Sequence, residues 1–420
     1  VIDWRRNLLF LWLSQVLSLL GFGFALPFVP FYLQELGVQG EQALRLWSGL
    51  FGAAAGIPLA VMTPVWGVLS DRYGRKPMIL RANLGGAAVL LGMGLVHSPG
   101  GLLALRFLQG VFTGTITANL TLVVANTPER KMGLAIGIMN SAVFTGNALG
   151  PLAGGFLADL LGFRMAFYLS SLSLGLAFVI AIFLVQEEFD RQAVAGSAHV
   201  LRELRVAVRD RRVLAFVALL GLFGLARYCP RPIYALLVQT IAAPGLGVAS
   251  QTGVLYTASG MAAVLSGILL GRLSDKGRPY AIAGACGVAA GLFLIPQGLV
   301  GSVWALIPLC FAADFFSIGV EPVLNLLAAR QVPPQRRGGL FGLVGSARSA
   351  GWSVGAVMGG TLAAYLGFLS VFVTCAGLFF LATFLLYRLR RVELGAAEGQ
   401  GRQPGQGRES GQGRQPVSPP

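Results

Sequence analysis

Twelve apolar runs, most of them close to the length needed to cross a bilayer, decide what this chain can fold into. A membrane-spanning helix needs about 20 predominantly apolar residues, and in lipid a helix satisfies its backbone hydrogen bonds within one segment. The runs fall at 8–33, 47–70, 78–96, 102–126, 133–158 and 163–185, then at 213–239, 252–273, 280–300, 303–327, 339–364 and 368–387. Charged residues make up 12% of the chain, where a soluble domain carries about 25%. A soluble chain so poor in charge could not cover its own surface. The fold class expected is an all-α integral membrane protein. The net charge of +15 does not indicate a nucleic-acid partner, because the basic residues sit in the breaks between runs and not on one face of a soluble domain.

Those basic residues alternate from break to break. Arg5 and Arg6, then Arg72, Arg75 and Lys76, then Arg130 and Lys131 fall on one side, followed by the arginines of 191–212. Arg272, Lys276 and Arg278, then Arg330, Arg336 and Arg337, then Arg388, Arg390 and Arg391 continue the set. The opposite connections hold little besides Arg45 and Arg164. Basic loops are retained in the cytoplasm, so a multi-pass protein of the cell (inner or plasma) membrane is expected, with both termini cytoplasmic. The first run far exceeds a signal-peptide core of about 7–15 residues. The central loop, 186–212, carries Arg202, Arg205, Arg209 and Arg212 at helical spacing, with Leu201, Leu204 and Val208 on another face. It reads as a basic amphipathic helix on the inner membrane surface or as a solvated linker. The tail 392–420 repeats GQGRQP and GQGRES and is expected to be disordered.

The chain is also a duplication. Gly67-Val-Leu-Ser-Asp71 returns as Gly271-Arg-Leu-Ser-Asp275, an offset of 204. Gly146, Gly150, Gly154, Gly155, Gly162 and Phe163 return as Gly351, Gly355, Gly359, Gly360, Gly367 and Phe368, an offset of 205. Two parallel repeats, 1–185 and 213–391, each with six runs, belong to a transporter architecture whose site lies between the halves near midplane.

Three motifs then point to a family. Gly67-x-x-x-Asp71-Arg72-x-Gly74-Arg75-Lys76, with its degenerate copy at 271–278, resembles the signature of the major facilitator superfamily. Arg106-Phe-Leu-Gln109-Gly110 resembles the motif of its proton-coupled members. Gly146-x-x-x-Gly150-Pro151-x-x-Gly154-Gly155 resembles the motif of its drug–proton antiporters. The resemblance implies twelve helices in the major facilitator fold and a latch formed by Gly67, Asp71, Arg72, Gly74, Arg75 and Asp275. Gly146, Gly150 and Gly154 stack on one helix stripe, where small residues let a second helix approach. Pro151 invites a bend there.

Five ionisable residues lie inside apolar runs: Arg106, Arg227, Asp314, Glu321 and Arg348. Charges at such depth cost roughly 2.5–3.5 kcal/mol on the insertion scale and are expected to face the interior, paired or wetted. Asp314 is the deepest acid, either a proton or substrate group or one half of an ion pair with Arg348 or Arg227. Phe28, Phe112, Tyr228 and Phe311 fall on runs that, by the resemblance, line a central cavity; Phe22, Phe24, Phe31, Phe315 and Phe316 share those runs. Aromatic faces with one or two acids suit lipophilic, often cationic compounds. The function expected is proton-coupled efflux of such compounds by a monomer working in membrane lipid. No cofactor or metal is expected, since Cys229, Cys286, Cys310 and Cys375 show no ligand spacing. Export of sugars or other small metabolites is the alternative within transport, using Gln109, Asn119, Asn140 and Asn147. Outside transport the alternatives are a membrane sensor, for which no sensory domain is visible, or a membrane enzyme, for which no catalytic constellation is visible.

Overall fold

The computed structural model describes residues 3–188, 211–274, 279–330, 332 and 337–401. Among them every regular element is helical. Eleven stretches are long and apolar enough to cross a membrane: Trp4–Glu35, Glu41–Ser70, Arg75–Leu95, Pro99–Asn126, Glu129–Leu161 and Phe163–Leu184, then Val213–Ile241, Val248–Leu270, Pro279–Gly298, Val303–Ala329 and Phe368–Arg391. The remaining apolar run lies within a 30-residue helix, Arg337–Leu366, about 45 Å long at 1.5 Å per residue. Its glycines, serines and Arg348 lower its hydropathy without shortening its reach. Counted in chain order with this helix as the eleventh, these are the twelve spans expected. The last helix continues to Gly401, past the boundary expected at 391, because Val-Glu-Leu-Gly-Ala-Ala-Glu is rich in helix formers. The rest of the repeat tail and nearly all of the central loop, 189–210, lie outside the described residues.

The duplication appears in the geometry. Gly162 and Gly367 both take positive φ, at 86° and 81°, and each precedes the last span of its half. Gly154 of the fifth span abuts Phe24 of the first, and Gly359 of the eleventh abuts Cys229 of the seventh, the same pair moved by 205 positions. These close backbone approaches are what the glycine stripe permits.

Spans one, four and seven are each interrupted within their length. The first breaks at a short 3₁₀ turn, Leu26–Phe28, beside Pro27 and Pro30. The seventh breaks at Arg231–Ile233, between Pro230 and Tyr234. The fourth breaks after Phe112, where Gly114 takes φ 135°. Proline lacks an amide donor, and glycine tolerates a left-handed backbone. Discontinuous helices free backbone and side chains to meet cargo. Asn7 Nδ2 donates to the carbonyl of Gln186, and the amide of Gln186 donates back to Asn7 Oδ1, at 3.0 and 2.8 Å. The start of span one and the exit from span six therefore share one end of the bundle, here termed the basic end.

Candidate functional site

The helix breaks open onto a cavity of about 500 Å³ between the halves. The N-terminal half contributes Phe22, Phe51, Arg106 and Gln109 to its wall, and the C-terminal half contributes Arg227, Tyr228, Arg231, Tyr256 and Trp352. Small and polar groups, among them Ser48, Thr113, Asn147 and Ser259, fill the intervals.

Arg106 is 8% exposed. Its Nη1 donates to Gln109 Oε1, one helical turn on. The guanidinium lies 4.9 Å from the Phe51 ring centre and 6.0 Å from that of Trp352, so aromatic faces of both halves flank it. Among the described residues it has no carboxylate partner.

Asp314 is 7% exposed and sits behind the wall. Its partner is Arg231, whose Nη2 lies 3.4 and 3.3 Å from its two oxygens, and not Arg348 or Arg227, the partners named in the ion-pair alternative. Arg231 stands in the break of span seven, where a sequence reading centred on uninterrupted runs passed over it; an arginine between Pro230 and Pro232 was the available signal. Tyr256 donates to the Arg231 carbonyl at 2.8 Å and presents its ring 5.9 Å from the guanidinium. Glu321 bridges two other arginines, with Arg227 Nη1 at 3.4 Å and Arg348 Nη1 at 2.8 Å. This triad lines a small adjoining pocket with Tyr228 and Ser317.

Of the aromatic residues named on the cavity-lining runs, Phe22 and Tyr228 line the cavity. Phe28 is buried in the core of the N-terminal half, Phe112 packs on Gly85, and Phe311 is half-buried away from the wall. Phe51, Tyr256 and Trp352, which the sequence reading did not name, hold the other aromatic wall positions.

The halves meet toward the end opposite the basic one. Span five packs on span eight through Gly155 against Ala249, Pro151 against Gly253 and Ala148 against Gly260. Span two packs on span eleven through Gly49 against Gly360 and Gly52 against Ala356. Two polar clasps accompany these seams. Asp159 accepts from the amides of Ala249 and Ser250 and from Ser250 Oγ, at the N-terminus of span eight, where a helix favours an anion. Arg45 donates to the Ala363 carbonyl at 3.0 Å, near the C-terminus of span eleven, and lies over Phe368. At the offset of 205 that relates spans five and eleven, Asp159 falls on Ala364, next to the Ala363 that accepts from Arg45, and at the offset of 204 that relates spans two and eight, Arg45 falls on Ala249. The two clasps therefore occupy equivalent places to within one residue, with opposite charge. Toward the basic end, a methyl group added at Gly67, Gly133, Gly137 or Gly345 would meet nothing within 4 Å.

The described contacts of the motif at 67–76 lie within its own half. Gly74 takes φ 95°, and Glu187 accepts from the amides of Arg75 and Lys76, both at 2.7 Å, capping span three. Arg72 is exposed and lies over Tyr73. Asp71 adds its backbone to the helix of span two, and Asp275 lies outside the described residues.

Known proteins share the family and the fold. The family model of the Major Facilitator Superfamily matches residues 11–320 and again 222–419. Multidrug resistance protein MdtG of Salmonella arizonae is 34% identical over 376 residues, covering 90% of this chain and 93% of its own. Its Salmonella typhimurium counterpart is 34% identical over 394 residues, covering 94% and 98%. Among solved structures, the nucleoside transporter NupG overlays with TM-score 0.78 at 13% identity, covering 91% of this chain and 99% of that one. A bacterial homolog of the human lysosomal transporter Spinster, inward-facing and occupied, overlays at 0.74 with 15% identity, covering 93% and 98%. By motif, fold and these matches, the chain is a multi-pass membrane transporter belonging to the Major Facilitator Superfamily.

Proposed function

We propose that this transporter exports lipophilic compounds in exchange for protons, by alternating access across the cell membrane, with the basic end in the cytoplasm. The observation that carries the reading is the Asp314–Arg231 pair. A carboxylate at this depth is costly unless paired, and its partner is a cavity-wall arginine seated in a helix break. When Arg231 is drawn away, Asp314 must take a proton or a new counter-charge. When Arg231 returns, the proton is released. Proton occupancy is thereby tied to what fills the cavity. The similarity to MdtG multidrug resistance proteins supports a drug-like cargo. The seams and clasps far from the basic end support a cavity that is shut on that side and reached from the cytoplasm.

The cationic preference expected from aromatics and acids finds less support, because both acids are already engaged by arginines. Export of small polar metabolites is favoured by one feature, the run of Ser48, Gln109, Asn147 and Ser259 along the wall. Adding candidate compounds to purified protein in weak buffer tests both readings. From the fraction with Asp314 protonated, proton release on adding lipophilic drugs, as Arg231 returns to the carboxylate, is the expected result, and it is lost in Asp314→Asn. Release with sugars alone would favour the metabolite reading, and no proton exchange with any compound would refute coupling through Asp314.

A further inference from the structure

The charge of the cavity wall constrains what the cargo can present to it. Four arginines stand in the cavity and its adjoining pocket, Arg106, Arg227, Arg231 and Arg348, against two acids, Asp314 and Glu321. With every group ionised the balance is 4 − 2 = +2. Each acid is held by arginine, and neither lies in the main cavity wall. A cation entering this space meets net repulsion in a medium where charge is poorly screened.

Arg106 is the group left over. It is more than nine-tenths buried, it lines the cavity, and no carboxylate among the described residues neutralises it. Gln109 accepts from one of its five N–H groups, while its Nε has no hydrogen-bond partner. A buried guanidinium with spare donors is expensive to maintain. Phe51 and Trp352 flank it, and a planar guanidinium beside aromatic rings still offers its donors to a carboxylate or other planar acceptor.

We infer that Arg106 is the head-group contact of the cargo site and that the cargo offers it an oxygen acceptor, a carboxylate or a neutral carbonyl-type group, and not a cation. Phe22, Phe51, Tyr228 and Trp352 then cover the apolar body. Trp352 comes from the opposite half, so a bound cargo touches both halves at once. The two acceptor types differ in their link to protons. A carboxylate on Arg106 brings a negative charge into the cavity that Arg231 also lines, which disfavours a second anion at Asp314, so it takes up a proton as it binds. A neutral acceptor leaves the charge balance alone and remains compatible with exchange. The inference rests on this cavity being the cargo site, as proposed above, but not on proton coupling.

Three probes with one apolar body separate the possibilities: 2-naphthoate, 2-naphthamide and (2-naphthylmethyl)trimethylammonium. Their affinities are measured for the full chain in lipid nanodiscs, with no gradient, so a failure of coupling cannot mask the result. Naphthoate and naphthamide should each bind at least tenfold more tightly than the ammonium. Arg106→Gln should weaken naphthoate at least tenfold and naphthamide severalfold, and leave the ammonium unchanged or improved. Arg106→Lys, which keeps the charge but loses the planar fork, should recover part of the naphthoate affinity, and thermal unfolding of both variants confirms that they are folded. Weakening of naphthoate alone assigns the head group as an anion, and weakening of both assigns a general acceptor. An ammonium that binds as tightly as naphthoate, naphthoate that fails to bind, or a folded Arg106→Gln protein with unchanged naphthoate affinity would each overturn the inference.

Discussion

Replacing Gly360 by alanine places one methyl group in the seam between spans two and eleven. Its Cβ would stand 2.7 Å from the Arg45 carbonyl oxygen and 2.7 Å from Gly49 Cα. Ordinary contact begins at 3.4 Å, so the backbones must part by about 3.4 − 2.7 = 0.7 Å. Neither neighbour is a flexible side chain. Overpacking of this kind costs about 1–3 kcal/mol. If that cost falls on the closed arrangement alone, the balance shifts by roughly 5- to 150-fold toward the state in which the seam is parted. Spin labels at Gln39 and Leu246, one on each half near this end, report the change as a longer distance population. Gly175→Ala is the control, since a methyl group there meets nothing within 4 Å. An unchanged distance distribution in a folded Gly360→Ala protein would refute the view that this seam closes one side of the cavity.

Asp159→Asn keeps an acceptor but removes the anion from the start of span eight, a change worth about 0.3–1 kcal/mol at an exposed helix end; the same label pair should show a two- to fivefold shift toward separation, reduced in high salt. Arg45→Gln removes the opposite clasp, and together with Asp159→Asn it should shift the pair by close to the product of the single effects, since the clasps sit on separate seams. Glu187→Gln loses a charged cap on span three and should lower thermal stability by about 1 kcal/mol, read from the unfolding midpoint, without changing cargo affinity. Trp352→Ala should weaken naphthoate binding severalfold, measured as above, while Phe28→Ala, buried outside the cavity, should destabilise the protein and leave the affinity of the folded fraction alone.

The spans and the duplication were legible because lipid imposes simple rules. Length and apolarity marked the helices, and the glycines at 146–155 and 351–360 repeated because both halves need the same backbone approach. The site was legible only in part. Arg106, Arg227 and Tyr228 were found as rare polar or aromatic residues in apolar runs, and the structure places them in one wall. Arg231 was missed because it stands in a break between prolines, where a hydropathy reading sees a span edge and not a cavity. Phe28 and Phe112 were chosen by span, and span membership does not give the face a side chain occupies. Asp159 and Arg45 bind helix termini of the other half across long sequence separations, so no local pattern announces them. Their relation appears only once the repeat of the two halves is laid over the contacts they make.

Exit of cargo as a proton enters through Asp314 can be followed in inside-out vesicles holding the purified protein. An acid interior stands for the cell exterior, and accumulation of a fluorescent lipophilic drug is followed alongside interior pH. The pH gradient should drive drug uptake, and uptake should speed the rise in interior pH. Both should vanish in Asp314→Asn, although the variant is folded and still binds the drug. Gradient-driven accumulation by Asp314→Asn at the parent's rate would contradict proton entry through Asp314.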